Sequence, residues 1–431
     1  MSQPAYFLSL TLEQVRCFGP AQTLDLCNSE GEPAQWTIIL GENGVGKTTL
    51  LQCLCAIRPT VFPRQPGYMG GTVPYVTHWS GFDATMRRQL AGGEVVLTAE
   101  CAVNDAAGAY VLPLEHRSSS NGTRGNQHGK LDVNMFCCAY GATRRAGRAV
   151  LAGEAPGDTT ASLFREDALL VDVEEWFLQA DYARRTGSAA ESRFQKVKQT
   201  LLQLLKEVDD LRVVGLDLAP PQPAVEVHTP YGWVRPHQLS LGHRTLLTWV
   251  VDLASQLFAR YPTSENPLTE PVVVMVDEID LHLHPRWQRS VMAYLGDHFP
   301  GAQFIVTAHS PLVVQAVPDA NLVVVAREPG ADYVTIHNDP DTVRGWRVDQ
   351  ILTSDLFGLE SARPPVQTEV LERRRHLLRN DHRSEVEEAE LRHLDQQLER
   401  MPQGESAQDI EAWELIHRFA QQLRTGKVAE R

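Results

Sequence analysis

The chain has 431 residues, a net charge of −14, 43% hydrophobic residues and seven cysteines. Its length allows about two to three domains, its apolar fraction is ample for a core, and its acidity argues against a surface coated with phosphate-binding groups. No run of about 18 apolar residues predicts a membrane span, and Met1-Ser2-Gln3-Pro4-Ala5 lacks a signal-peptide pattern. The odd cysteine count without a C-x-x-C pair points to reduced core thiols rather than a zinc framework. A cytoplasmic protein with no membrane partner is expected. Local basic groups remain at Arg87-Arg88, Arg144-Arg145 with Arg148, and Arg373-Arg374-Arg375, so nucleic acid stays open as a partner.

In chain order, Tyr6–Leu12, Val15–Phe18 and Gln22–Leu26 alternate like paired strands, with a turn at Gly19-Pro20. Phe18 reads as a core residue, with packing near an adenine or ribose as the alternative. The apolar run Trp36–Leu40 leads into Gly41-Glu42-Asn43-Gly44-Val45-Gly46-Lys47-Thr48-Thr49, and Leu50–Ile57 reads as a buried helix. This is G-x-x-x-x-G-K-[ST] in its strand, loop and helix context. A triphosphate must be wrapped by backbone N–H groups, here those of Gly41, Asn43, Gly44, Val45, Gly46 and Thr49. The three glycines permit the positive φ and close approach this demands. Lys47 is placed to reach the β- and γ-phosphates of ATP, and the Thr48 hydroxyl to hold Mg²⁺.

Residues 58–80 are rich in Pro, Gly and aromatics and read as an irregular surface loop. Glu94–Val103 and Ala109–Leu114 read as a hairpin, residues 116–130 as a flexible loop, and Val133–Tyr140 as a buried strand ending at Gly141-Ala142-Thr143-Arg144-Arg145. From about residue 165 the period is helical. Phe194, Val197, Leu201, Leu204, Val208 and Leu211 form a short a/d seam that suits a packed helical subdomain. Val225–His228 and Tyr231–Val234 pair across a turn, and Ser240-Leu241-Gly242 opens an amphipathic helix over Thr245–Arg260.

Val272–Val276 is apolar throughout, as a parallel strand buried on both faces requires. Asp277 and Glu278 follow at its C-terminal end, where open α/β sheets bind ligands. Asp277 is expected to hold Mg²⁺. Glu278, expected on the opposite side of the strand end, is the candidate to polarise an attacking water. Arg286–Phe299 reads as a helix. Gln303–Ala308 is another buried strand, ending at His309-Ser310-Pro311, where His309 is expected to contact the γ-phosphate or the water. Leu322–Ala326 is a third strand. The charged tail, 347–431, reads as helical over Ser384–Arg400 and Gln408–Leu423.

Together these motifs resemble the ATP-binding-cassette ATPases of the SMC/RecF-like group. Gly41–Thr48 resembles their Walker A, Val272–Asp280 their Walker B with catalytic glutamate, and Leu239-Ser240-Leu241-Gly242-His243-Arg244 their signature motif. Asp280–Pro285 resembles the D-loop and His309 the switch histidine. Leu241 and His243 depart from the usual Leu-Ser-Gly-Gly-Gln, and neither Gln52 nor Gln127 makes a satisfactory Q-loop residue. The resemblance implies an α/β ABC-ATPase head with a β-rich lobe and a parallel-sheet P-loop core. Its parts would be an N-terminal lobe over 1–140, a helical insertion over 141–224, a second lobe over 225–335 and a helical tail over 336–431. It also implies a head-to-tail homodimer, or a higher even-numbered homo-oligomer, in which Ser240 and Gly242 of one copy cap ATP bound by another.

A narrower similarity, to bacterial OLD-type ATPases including those of Septu and some retron anti-phage systems, is carried by Tyr140–Arg144, Val171–Trp176, Leu239–Leu247 and Asp277–Pro285. OLD nucleases carry a C-terminal Toprim domain, and no Asp-x-Asp strand end follows Val325, so a separate nuclease or toxin is the expected effector. Three functions fit: an ATPase switch controlling that effector, a DNA-repair ATPase gripping duplex DNA, or a nucleotide-bound scaffold. The acidic balance favours the switch over the DNA-gripping enzyme.

Overall fold

A computed structural model describes residues 4–62, 71–74, 85–87, 94–105, 108–119, 122–126, 133, 135–147, 158–184, 188–205, 208–215, 223–328, 330–338, 345–354, 356–357, 359, 365–380 and 384–399. The chain divides into two units, Met1–Gly358 and Leu359–Arg431. The strands of the first unit begin with β1 (Ala5–Glu13), β2 (Gln22–Asp25), β3 (Trp36–Leu40), β4 (Pro59–Phe62), β5 (Gly71–Pro74) and β6 (Val95–Asp105). Next come β7 (Gly108–Ser119), β8 (Gly122–Gly125), β9 (Cys137–Tyr140), β10 (Arg145–Ala146), β11 (Leu169–Leu170) and β12 (Asp210–Val214). The last are β13 (Ala224–Thr229), β14 (Gly232–Val234), β15 (Val272–Val276), β16 (Ala302–Thr307), β17 (Asn321–Arg327) and β18 (Val334–Asn338).

Two sheets organise the unit. One is antiparallel, in the order β2-β1-β6-β7-β8. The other runs β18-β17-β3-β16-β15-β9 and is parallel except for its antiparallel β18 edge. Every residue of β3, β9, β15 and β16 is buried, which explains their largely apolar sequences. Alternation divides these side chains between two cores. Ile39, Val273, Met275 and Ile305 join the helix Lys47–Ile57 and the antiparallel sheet. Ile38, Leu40, Val274, Val276, Phe304 and Val306 join the helix Leu241–Arg260 through Trp249 and Leu253. The Lys47–Ile57 helix is therefore buried on nearly every side, leaving only its first turn for chemistry.

Gln303 ties the sheets together. Its side chain accepts from Phe7 N at 2.9 Å and donates to Phe7 O at 2.7 Å, beside the register shift between Phe7 and Ser9. Both polar ends are buried and satisfied. Trp36 stacks on Phe304 with ring centroids 4.2 Å apart. Cutting such a ring to alanine typically costs about 3–5 kcal/mol.

Residues 141–224 carry the helices Val173–Arg184 and Ser188–Leu204 as well as β10, β11 and β12, and Phe177, Phe194, Val197 and Leu201 share the core of β3 and β15. The a/d seam is shorter than its spacing predicts. The helix ends at Leu204, and Leu211 is buried instead on β12, opposite Val227.

Other segments also differ from expectation. Val15–Phe18 is a tight turn with Gln14 and Arg16 at φ 57° and 44°, closed by Phe18 N donating to Val15 O. Phe18 itself lies in the core. Pro59–Phe62 and Gly71–Pro74 pair rather than looping freely. The strand β7 runs on to Ser119 and pairs with β8, within the expected loop 116–130. The expected helix Arg286–Phe299 is two helices, Pro285–Gln288 and Val291–His298, and the helix expected from Thr245 starts at Leu241.

In the second unit, helices Pro365–Leu378 and Glu385–Glu399 carry the ion pairs Arg373–Glu390 at 2.8 Å and Arg374–Asp395 at 2.6 Å. Two of the tail arginines are thus paired with carboxylates rather than forming a basic patch. The helix expected at Gln408–Leu423 lies outside the described residues.

Candidate functional site

The ends of β3, β15 and β16 converge on a cleft of about 350 Å³ lined by Arg16, Cys17, Asn43, Gly44, Gly46, Lys47, Thr48, Thr49, Asp277, Glu278 and His309. Three glycines shape the loop beside it, with φ of 146° at Gly41, 79° at Gly44 and 95° at Gly46. At Gly41 a Cβ would lie 2.3 Å from Val325 O, and at Gly46 it would lie 2.5 Å from Cys17 Sγ. Gly41 and Val45 do not line the cleft. Val45 is a core residue whose carbonyl accepts from Cys17 Sγ at 3.5 Å, so only its backbone could serve a ligand.

Lys47 Nζ donates to Gly41 O at 2.7 Å and Glu42 O at 2.8 Å, which folds the side chain back over the loop. Burial lowers the pKa of this ammonium, opposed by the carboxylates of Asp277, Glu278, Asp280 and Glu42. Thr48 Oγ1 donates to Asp277 Oδ2 at 2.7 Å. Thr307 Oγ1 donates to Asp277 Oδ1 at 2.6 Å and accepts from Glu278 N at 2.7 Å. Mg²⁺ takes few protein oxygens and fills its octahedron with phosphate and water. Thr48 Oγ1 and Asp277 Oδ2, side by side at the loop, fit that need. Among the described residues no cluster of three or more His, Cys, Asp or Glu forms a cage for a metal.

Glu278 departs from its expected side. At φ 50° it leaves the strand alternation and lines the same cleft as Asp277. His309 follows β16 into the cleft, its N–H donating to the Asp280 carboxylate at 3.1 and 3.3 Å. Ser240 and Gly242 do not line it. Ser240 is the exposed N-cap of the Leu241–Arg260 helix, its Oγ 2.5 Å from His243 Nδ1. Gly242 is buried, and a Cβ there would lie 2.4 Å from His282 O.

These elements have counterparts in known proteins. A family profile described as "AAA domain, putative AbiEii toxin, Type IV TA system" matches residues 163–315, and one described as "AAA domain" matches 9–66. Septu protein PtuA of Bacillus mycoides (strain KBAB4) is 26% identical over 412 residues, covering 94% of this chain and 52% of the relative. The Retron Vc95 probable ATPase of Vibrio cholerae is 44% identical over 87 residues, 20% of this chain and 17% of the relative. The Retron Ec83 probable ATPase of Escherichia coli is 45% identical over 85 residues, 20% of this chain and 16% of the relative. The chain is therefore similar to AAA-type ATPases of Septu and retron systems. It spans about half the length of the Septu relative, and far less of the two retron proteins. Superposed on the SMC head domain from Thermotoga maritima, it gives a TM-score of 0.42 at 12% identity over 79% of this chain and 100% of that one.

The structure also places residues in the site that spacing alone missed. Arg16 and Cys17 reach it from the turn after β1, where a strand pattern concealed them. Arg16 Nη1 donates to Thr49 Oγ1 at 3.1 Å and Gln52 Oε1 at 3.0 Å. Gln52 thus braces Arg16 and Leu163 O from outside the cleft. Thr307 was legible only as a polar residue in an otherwise apolar strand. Arg144 is not part of a basic groove. It is buried, and it donates to the carbonyls of Asp277 and Glu278. Arg145 beside it is exposed. No described helix is long and apolar enough to cross a membrane.

Proposed function

We propose that this chain binds and hydrolyses Mg²⁺-ATP, dimerises around the nucleotide, and uses the cycle to regulate a separate nuclease or toxin in an anti-phage defence complex. The observation that carries the reading is the linkage of the phosphate loop to β15 and β16 through Thr48, Asp277 and Thr307, with Glu278 and His309 lining the same cleft. The similarity to Septu and retron proteins supports the defence setting. Backbone N–H groups of the loop and Lys47 would bind the phosphates, and Thr48 and Asp277 would hold Mg²⁺. The metal supplies charge neutralisation at the transferring phosphoryl group. Glu278 takes the proton of the attacking water as its oxygen bonds to the γ-phosphorus, the β–γ bridging P–O bond breaks, and ADP leaves. Ser240, exposed at a helix N-terminus outside its own cleft, suits capping of nucleotide held by a second copy.

The test is phosphate release by the purified chain with and without its candidate effector, beside Glu278→Gln. The variant is expected to bind ATP, lose turnover and accumulate as an ATP-bound dimer by light scattering. A wild type that binds ATP but releases no phosphate sinks the enzymatic reading. An ATP-dependent shift of duplex DNA that is lost in Arg145→Glu favours a DNA-gripping ATPase instead.

A further inference from the structure

Glu278 lines the cleft from a backbone conformation that residues with a Cβ seldom adopt, φ 50° two residues past the end of β15. Such a conformation persists where surrounding bonds impose it. Here they converge from two sides. From β16, Thr307 Oγ1 accepts the Glu278 N–H at 2.7 Å. From the turn after β9 comes Arg144, only 4% exposed, whose Nη2 donates to the carbonyls of both Asp277 and Glu278 and whose Nε donates to Gly141 O at 3.1 Å. The turn itself is held firmly. Asp277 N donates to Tyr140 O at 2.8 Å, Arg144 sits at φ 36°, and a Cβ on Gly141 would lie 2.2 Å from Ser162 O.

The hydrogen bonds of this buried guanidinium go to main-chain carbonyls, although Asp277, Asp280 and Glu278 all favour its charged form. Burial pushes its pKa down to about 10. A group held at that desolvation cost, with its planar fork spent on backbone carbonyls of two segments, is suited to fixing geometry. We infer that Arg144 is a positioning residue for ATP hydrolysis, clamping the backbone at Asp277 and Glu278 so that the Glu278 carboxylate meets the attacking water. This rests on the hydrolytic reading above. Arg144 does not line the cleft and bonds the Asp277 and Glu278 carbonyls, so it acts through Glu278.

The experiment compares wild type with Arg144→Lys and Arg144→Met in steady-state ATP turnover, in equilibrium binding of a fluorescent ATP analogue, and in thermal melting. Misplacing a reacting group by about 1 Å costs on the order of a hundredfold in rate. Arg144→Met is therefore expected to lose kcat by about a hundredfold with KM and analogue affinity kept within about twofold, and Arg144→Lys to recover part of the loss. If Arg144→Met does not fold, Arg144→Lys alone decides, with an expected kcat loss of about tenfold at unchanged KM. An unchanged kcat in the folded variants, or a loss of affinity parallel to the loss of kcat, overturns the positioning role while leaving the hydrolytic reading intact. A wild type that binds the analogue and releases no phosphate overturns both.

Discussion

The Thr48 hydroxyl donates to the Asp277 carboxylate at 2.7 Å, joining residues 229 positions apart in the chain. One lies in the first turn of the loop helix and the other ends β15. Their bond holds two hard oxygens together where a cation would sit beside a nucleotide phosphate. Because both serve one ion, Thr48→Val and Asp277→Asn are each expected to weaken ATP-analogue binding by at least about tenfold in Mg²⁺, roughly 1.4 kcal/mol. Little change is expected in EDTA. Paired titrations in the two buffers check this, and an equal loss in both would show that the residues do not act through the metal.

Gly46 gives a prediction that separates fold from binding. Its φ is 95°, and a Cβ added there would lie 2.5 Å from Cys17 Sγ and 2.9 Å from the Phe18 ring. Alanine therefore has no place without moving the Arg16–Phe18 turn. Gly46→Ala is expected to lose nucleotide binding by about a hundredfold, and to lose about 1–3 kcal/mol of stability from forced positive φ. Calorimetric titration and chemical denaturation measure the two effects. Binding retained within a few-fold would mean that the turn yields easily.

What the sequence made legible follows from how strongly each element is determined. The strands β3, β15 and β16 are buried on both faces, so their largely apolar runs had one reading. The phosphate loop needs glycines at fixed spacing, and Asp277 and His309 close strands that open α/β folds use for ligands. The errors lie where different structures give the same pattern. Val208 and Leu211 continue a helical step by coincidence, because Leu211 is buried by its strand pairing with Val227. Residues 116–119 resemble loop because the buried positions of β7 there are polar, His116 and Ser118. Arg144 resembles surface charge because nothing local signals burial of a guanidinium by carbonyls 133 and 134 residues away. Glu278 falls on the wrong side when strand alternation is extended two residues past the strand.

Gly242 is a packing requirement within this chain, whatever it does for another copy. A Cβ there would meet His282 O at 2.4 Å, and His282 is itself at φ 64° in the turn from Asp280 to His284. That turn carries Asp280, which fixes the His309 N–H. Gly242→Ala is thus expected to lower ATP turnover by about tenfold or more through displaced positioning, while analogue binding to the isolated chain stays near wild type. Kinetics and titration on the same preparation decide. Unaltered turnover would show that the Asp280–His284 turn is free to shift.

Asp252 supplies a pH test of the core behind the site. It accepts from the Tyr140 hydroxyl at 2.9 Å and from Val171 N at 2.9 Å. Burial raises its pKa above the ordinary 3.8, opposed by those bonds and one from Gln256. The folded carboxyl therefore keeps its proton to higher pH than the unfolded one. Its contribution to stability is fully present below the unfolded pKa and is lost as pH rises through the folded one. Asparagine keeps the shape without the charge, and the Tyr140 hydroxyl can accept as readily as it donates. The melting temperature of Asp252→Asn relative to wild type is expected to climb as pH rises above the ordinary carboxylate range and to level off once the folded carboxyl has ionised. Melting curves across that range measure the difference directly, cancelling the titration of groups common to both proteins. Parallel curves would mean that Asp252 titrates alike in the folded and unfolded chain.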